Sequence, residues 1–187
     1  MANHALCQMP SQLQTLISTA SDHAADCIAR QSEENTGYAY ATTNIVVTIV
    51  RIVLDTSVLV AASRSRNGAS YQLVSMLPTP TFELALTIVL YTEWQAVLTR
   101  PEHMPPGVTV DAALAYLRYL ASLAHLQDVH FLWRPFLRDP DDDMVLECAL
   151  ASGSQYIVTH NVADFRRVPE LKVQAITPAD FLKLLRN

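Results

Sequence analysis

Four separated stretches of the chain carry carboxylates close behind runs of apolar residues. Asp55 follows Ile52-Val53-Leu54, and Glu93 comes soon after the run that ends near Leu90. Asp139, Asp141, Asp142 and Asp143 crowd together ahead of Met144-Val145-Leu146. Asp164 stands a few residues beyond Tyr156-Ile157-Val158-Thr159. Acids gathered at one place repel, and a divalent cation is the compensation that chemistry offers. A ligand set without His or Cys suits Mg2+ or Mn2+, which prefer carboxylate oxygen. Such a cation activates water and offsets charge developing on a phosphate, so phosphodiester hydrolysis is the reaction implied. Each acid also has an ordinary reading. Asp55 suits a turn or a helix cap, Glu93 a solvated helix position, and Asp139 an N-cap. Asp141 and Asp143 complement a helix dipole, and Asp164 suits a surface loop. The weight lies in all four places at once.

The elements that must position these acids are legible in the apolar pattern. Leu13, Leu16, Ile17, Ala20, Ala24, Cys27 and Ile28 fall at helical spacing over 11–33, and a polar linker follows over 33–44. From Ile45 the texture turns β-branched up to Leu54, as in a central strand covered on both faces. A helix over 57–63, a turn at Arg66-Asn67-Gly68 and a helix over 69–77 come next, the last closed by Pro78 and Pro80. Residues 82–90 predict a second strand, running into a helix with Glu93, Trp94, Val97 and Leu98. Pro101, Pro105, Pro106 and Gly107 end that helix, and residues 110–124 predict another. Further strands are expected at 129–132, 156–159 and 173–176. Asp139-Pro140 reads as the start of a helix through Ala151, and Thr177-Pro178-Ala179-Asp180 as the start of the last one. This alternation predicts an α/β fold, a three-layer α/β/α sandwich with a mostly parallel central sheet. Ligands of such sheets sit beyond the carboxyl ends of the strands, where these acids fall.

Composition narrows the classes. In 187 residues, half are hydrophobic and 17% are charged, which excludes a disordered chain. The net charge of -5 is no advertisement for nucleic acid, but five of the acids lie between Asp139 and Glu147, where a metal site would use them. Nucleic acid would then be held locally, by Arg64, Arg66, Arg166 and Arg167. Cys7, Cys27 and Cys148 form no C-x-x-C pair, which argues against zinc and disulfides and fits a reducing cytoplasm. The stretch from Ile45 to Val60 is broken by Arg51 and Asp55 and is too short to span a bilayer, so no membrane is expected.

Four motifs carry a family resemblance. Ile52-Val53-Leu54-Asp55-Thr56-Ser57-Val58-Leu59-Val60 resembles the opening of PIN domains. Glu93-Trp94-Gln95-Ala96-Val97-Leu98-Thr99-Arg100-Pro101 resembles their second acidic motif. Asp139 through Ala149 and Ile157 through Phe165 resemble the third and fourth. The resemblance covers roughly residues 50–187 and is nearest the VapC-type ribonucleases, toxins of toxin–antitoxin systems. It implies a PIN domain over 45–187, preceded by an arm over 1–44, and a magnesium- or manganese-dependent endoribonuclease. It also implies a catalytic metal site of Asp55, Glu93, Asp142 and Asp164, an antitoxin partner and a homodimer. Within the acidic run the resemblance points to Asp142 rather than Asp143, because its spacing to Ala149 and Gly153 matches the family's helix better. Ser57, Arg64, Thr159 and Asn161 are expected to face the RNA substrate. Two positions depart from the pattern: many relatives have Asn at Ser57 and Asp at Asn161. Asn coordinates through its carbonyl but brings no charge, which puts a second metal in question. Since such domains usually begin at the first strand, residues 1–49 are expected to come from an upstream start codon, with Val50 the initiator.

Two other classes compete. A phosphatase of the haloacid-dehalogenase type also begins with Asp at a strand end, but needs a second Asp two residues later, where Ser57 stands. A degenerate PIN domain that binds RNA or protein without cutting is the other, and Asn161 is its motive.

Overall fold

The computed structural model describes residues 49–186, so the expected helix over 11–33, the linker and residues 45–48 lie outside the described residues. Five parallel strands form one sheet in the order β3-β2-β1-β4-β5. They are β1 Val50–Leu54, β2 Phe82–Leu86, β3 His125–Leu126, β4 Tyr156–Val158 and β5 Gln174–Ile176. Six α-helices join or follow them: α1 Thr56–Arg64, α2 Ala69–Ser75, α3 Ile88–Leu98, α4 Val110–Leu123, α5 Asp143–Ser152 and α6 Pro178–Leu184. The expected α/β fold with a parallel sheet is the fold observed.

The central place of β1 explains its composition. Ile52, Val53 and Leu54 are fully buried, because β2 and β4 flank the strand and helices cover the sheet. The path from β1 to β2 to β3 steps one way across the sheet, and the path from β3 to β4 to β5 steps the other. Right-handed crossovers therefore send α1–α4 and α5 to opposite faces. The direction reverses between β1 and β4, and a crevice opens beyond the carboxyl ends of strands at such a reversal. Asp55 and Thr159 are the residues that follow β1 and β4.

Three expected boundaries move. The second strand stops at Leu86 rather than Leu90, because the Thr87 hydroxyl accepts from Leu90 N–H at 3.3 Å and caps α3 there. The third strand is His125–Leu126 rather than 129–132: the chain pairs with Ala85 and Leu86 directly after α4, and Phe131 and Leu132 are left exposed. The expected N-cap at Asp139 is the third. Its carboxylate accepts from Asp141 N–H at 3.0 Å, and the Pro140 carbonyl accepts from Asp143 N–H. These bonds make a separate turn, so α5 begins only at Asp143, with Asp142 in the N-cap position.

Helix α5 carries two more acids that look inward. Asp143 is fully buried and accepts from the N–H groups of Phe136 and Leu137, the latter at 2.9 Å. Glu147, 2% exposed, accepts from Trp133 N–H and takes the Arg134 guanidinium through both oxygens. The β3–α5 loop is thereby clamped to the helix. The next turn ends α5 cleanly, since Gly153 adopts φ 66°, a left-handed conformation that costs a residue with Cβ about 1 kcal/mol or more.

A buried carboxylate that loses its partner is the costly half of such a clamp. Arg134→Ala is expected to lower the unfolding free energy by about 3 kcal/mol in urea titrations. Arg134→Met combined with Glu147→Leu should recover most of that loss, because the apolar pair leaves no buried charge. A double variant as unstable as the single one would contradict this account of the clamp.

Candidate active site

Asp55 occupies the N-cap position of α1, yet its side chain makes no capping bond. Its Oδ2 instead accepts from the Ser57 hydroxyl at 2.5 Å and from the Thr159 hydroxyl at 2.6 Å. The Asp55–Thr159 bond spans the reversal point between β1 and β4. Backbone bonds hold both sides: Asp55 N–H donates to the Val158 carbonyl, and Thr159 N–H to that of Ile176. Ser57 and Thr159 pass the order on, accepting from His160 N–H and Asn161 N–H respectively. Asp55 is 7% exposed, so its orientation is set by these two hydroxyls rather than by water.

Glu93 lies on α3, whose residues Leu90, Trp94 and Leu98 turn into the core at helical spacing. Its Oε1 accepts from the Thr56 hydroxyl at 3.1 Å, while its Oε2 is buried with no hydrogen-bond partner. Burial raises the Glu93 pKa, opposed by the Thr56 bond and reinforced by the charges of Asp55 and Asp141. Asp142 repeats the pattern of Asp55: it holds an N-cap position without a side-chain cap. Burial, then the charges of Asp55, Asp139, Asp164 and Glu93, push its pKa up to about 7. The charges of Asp55, Asp164 and Glu93 thus all bear on Asp142. Asp164 is exposed and shares a cleft of about 250 Å³ with Arg138, Asp139 and Pro140.

The other expected residues divide. Ser57 and Thr159 sit at the cluster as ligands to Asp55. Asn161 is exposed in the turn beside it, where its backbone carbonyl accepts from Asp164 N–H at 2.9 Å. Arg64 stands at the far end of α1 and donates to the Glu102 carbonyl and to His103 Nδ1, so the fold does not bring it to the carboxylates. Thr56 was not anticipated as a functional residue, although its place directly after Asp55 was a signal. Arg138 was missed as well, and the aromatic-rich run around it was the signal.

A profile of the PIN domain matches residues 51–163. The chain belongs to the PIN domain family. The matched span includes Asp55, Glu93, Asp142 and Asn161 and stops one residue before Asp164. A similar fold is seen in a solved structure, described as VapBC2 from Rickettsia felis bound to a DNA fragment from their promoter. That chain is 15% identical with a TM-score of 0.50, and the alignment covers 68% of this chain and 98% of that one. No curated protein matches by sequence.

PIN domains of this kind imply a divalent cation, and the donor chemistry here fits one. The available atoms are carboxylate oxygens with surplus negative charge, and Glu93 Oε2 is buried without a proton donor. Among the described residues no three His, Cys, Asp or Glu side chains converge closely enough to enclose an ion as they stand. The two facts are compatible, because Mg2+ keeps several waters and is commonly held through only one or two carboxylates.

The repulsion has a measurable sign. Asp142 has a raised folded-state pKa, so the metal-free protein binds a proton that the unfolded chain has lost between about pH 4 and about pH 7. In EDTA, stability should therefore be greater at pH 5.5 than at pH 7.5. Asp142→Asn should flatten that dependence in urea titrations at the two pH values. An unchanged slope in the variant would show that Asp142 is not the group that takes up the proton.

Proposed function

We propose that this PIN domain is a divalent-metal-dependent endoribonuclease, the toxin of a toxin–antitoxin pair acting in the cytoplasm. Asp55, Glu93, Asp142 and Asp164 are its catalytic residues and would hold Mg2+ or Mn2+. The observation that carries this reading is the buried Glu93 Oε2 with no hydrogen-bond partner, near an Asp55 whose side chain caps no helix. The Asp142 pKa, raised by burial and by the charges of neighbouring acids, supports it. Asp55 and Asp142 both forgo helix capping, a role that stabilises by about 1 kcal/mol, and that leaves their oxygens available. A cation bound there offsets the charge that builds on the phosphate during in-line displacement.

The chain's own residues supply the order. Ser57 and Thr159 fix Asp55 in one rotamer, and Thr56 fixes one oxygen of Glu93 while the other stays unpartnered. Exposed Asp164 and Asn161 line the solvent side, where RNA enters. A cognate antitoxin and a homodimer belong to the same reading, and the Rickettsia felis neighbour is itself described as a VapBC2 structure.

One observation favours a second reading. Without a closed set of three acids, and with Asn161 in place of the Asp of many relatives, the domain suits a module that binds RNA without cutting it.

Cleavage of single-stranded RNA in Mg2+ separates the two. The wild type should cut, and EDTA should abolish cutting. Asp55→Ala and Glu93→Gln should each lower kcat by about 100-fold or more, in proteins that still fold. Cutting that survives both EDTA and Asp55→Ala would rule out the metal site. A wild type that binds RNA and never cuts it would establish the module.

A further inference from the structure

Residues 131–138 read Phe-Leu-Trp-Arg-Pro-Phe-Leu-Arg: three aromatics, two arginines and no acid, in a protein of net charge -5. The segment splits into a buried root and an exposed tip. The root is the clamp to α5, with Leu137 buried and the Trp133, Phe136 and Leu137 N–H groups spent on Glu147 and Asp143. The tip is the reverse of what an ordinary loop shows. Phe131 is 79% exposed, Leu132 72% and Trp133 44%. A soluble domain has no structural use for two such rings held out in water by two buried carboxylates.

The location narrows what the rings could meet. Asp143 and Glu147, which hold the root, lie on the helix whose N-cap is Asp142. Arg138, at the end of the segment, lines the cleft that contains Asp164 and Asp139. Among the described residues no carboxylate forms an ion pair with Arg138, whereas Arg134 is committed to Glu147 and Arg167 to Glu170. Arg167 also lies over the Phe136 ring at 4.2 Å and donates to the Phe136 carbonyl, which adds a cation beside the same loop. Unstacked bases present π-faces to aromatic side chains and phosphates to arginine, and a duplex hides those faces.

We infer that the β3–α5 loop is a substrate platform for single-stranded RNA, with Phe131 and Trp133 stacking on bases and Arg138 taking the phosphate next to the carboxylates. This rests on the ribonuclease reading and adds to it the residues of this chain that would seat the strand. The strand lies across the aromatic tip and enters the acidic cleft past Arg138. Phe131, Trp133 and Arg138 are positioning residues, acting on where the RNA sits and not on the bond that breaks.

Tryptophan emission tests this, since Trp94 is fully buried and Trp133 is the other of the two tryptophans. A 12-nucleotide mixed-sequence single-stranded RNA, added to the full chain in EDTA, should quench the emission. The same sequence as a duplex should bind at least about tenfold more weakly, and Trp133→Phe should bind almost as well as wild type by fluorescence anisotropy of labelled RNA. Phe131→Ala with Trp133→Ala should weaken binding by on the order of tenfold or more, and Arg138→Gln should weaken it while reducing its salt dependence. In Mg2+ the double variant should raise KM and leave kcat near wild type. Cleavage with an unchanged KM, or equal affinity for the duplex, would overturn the platform and leave the ribonuclease reading intact. RNA-dependent quenching without cleavage would do the opposite. Emission that shifts with protein concentration in the absence of RNA would assign the tip to contact between copies and overturn the proposal.

Discussion

Carboxylates gathered at one end of a parallel sheet are the constraint that the rest of this domain answers. Left alone, like charges at short range push each other apart or take up protons. The fold prevents the first by fixing each acid to a different rigid element. Asp55 is carried by β1 and α1, Glu93 by α3, Asp142 by the start of α5 and Asp164 by the turn after β4. It accepts the second in part, since burial and then the neighbouring charges drive the Asp142 pKa up to about 7. Hydroxyls do the fine positioning. Ser57, Thr159 and Thr56 bind carboxylate oxygens without adding positive charge, so the site stays short of a cation. An arginine in any of those places would quench the field that attracts one.

The acidic run shows how neighbours divide such work. Asp142 and Asp143 are adjacent, yet one meets the crevice and the other is fully buried beneath a loop. Helix geometry explains the split, because consecutive residues point about 100° apart around the axis. Asp143 and Glu147, four apart, share the face that binds the β3–α5 loop. Thus α5 serves the crevice with one carboxylate and fixes a loop beside it with two more. Deleting any of the three would look like loss of an acid, but the physical consequences differ.

Much of this was legible in the sequence, and the misses have physical causes. The central strand could be read from Ile52-Val53-Leu54, because a strand covered on both faces needs an unbroken apolar run. That Asp55 directly follows β1 and Glu93 lies on the helix after β2 could be read from where their apolar runs end. The rule that parallel sheets work at their carboxyl ends made these positions candidates. The edge strand at His125–Leu126 escaped because two residues carry no periodicity, while the bulkier run at 129–132 imitated a strand. Asp139-Pro140 imitated a helix start because an Asx turn and an N-cap use the same side-chain bond. Arg64 looked well placed from its charge alone. Its true partners, the Glu102 carbonyl and His103, come from a loop some forty residues away, which no local pattern reports.

The central claim is that Asp55, Glu93 and Asp142 share one cation. A crystal structure of the protein grown in Mn2+, with anomalous scattering recorded at the manganese edge, tests it most directly. The account predicts an anomalous peak in the crevice between β1 and β4, contacted by Asp55 and at least one of Glu93 and Asp142, directly or through ordered water. Full-occupancy manganese elsewhere on the protein, with the crevice empty and Glu93 Oε2 still unpartnered, would contradict it.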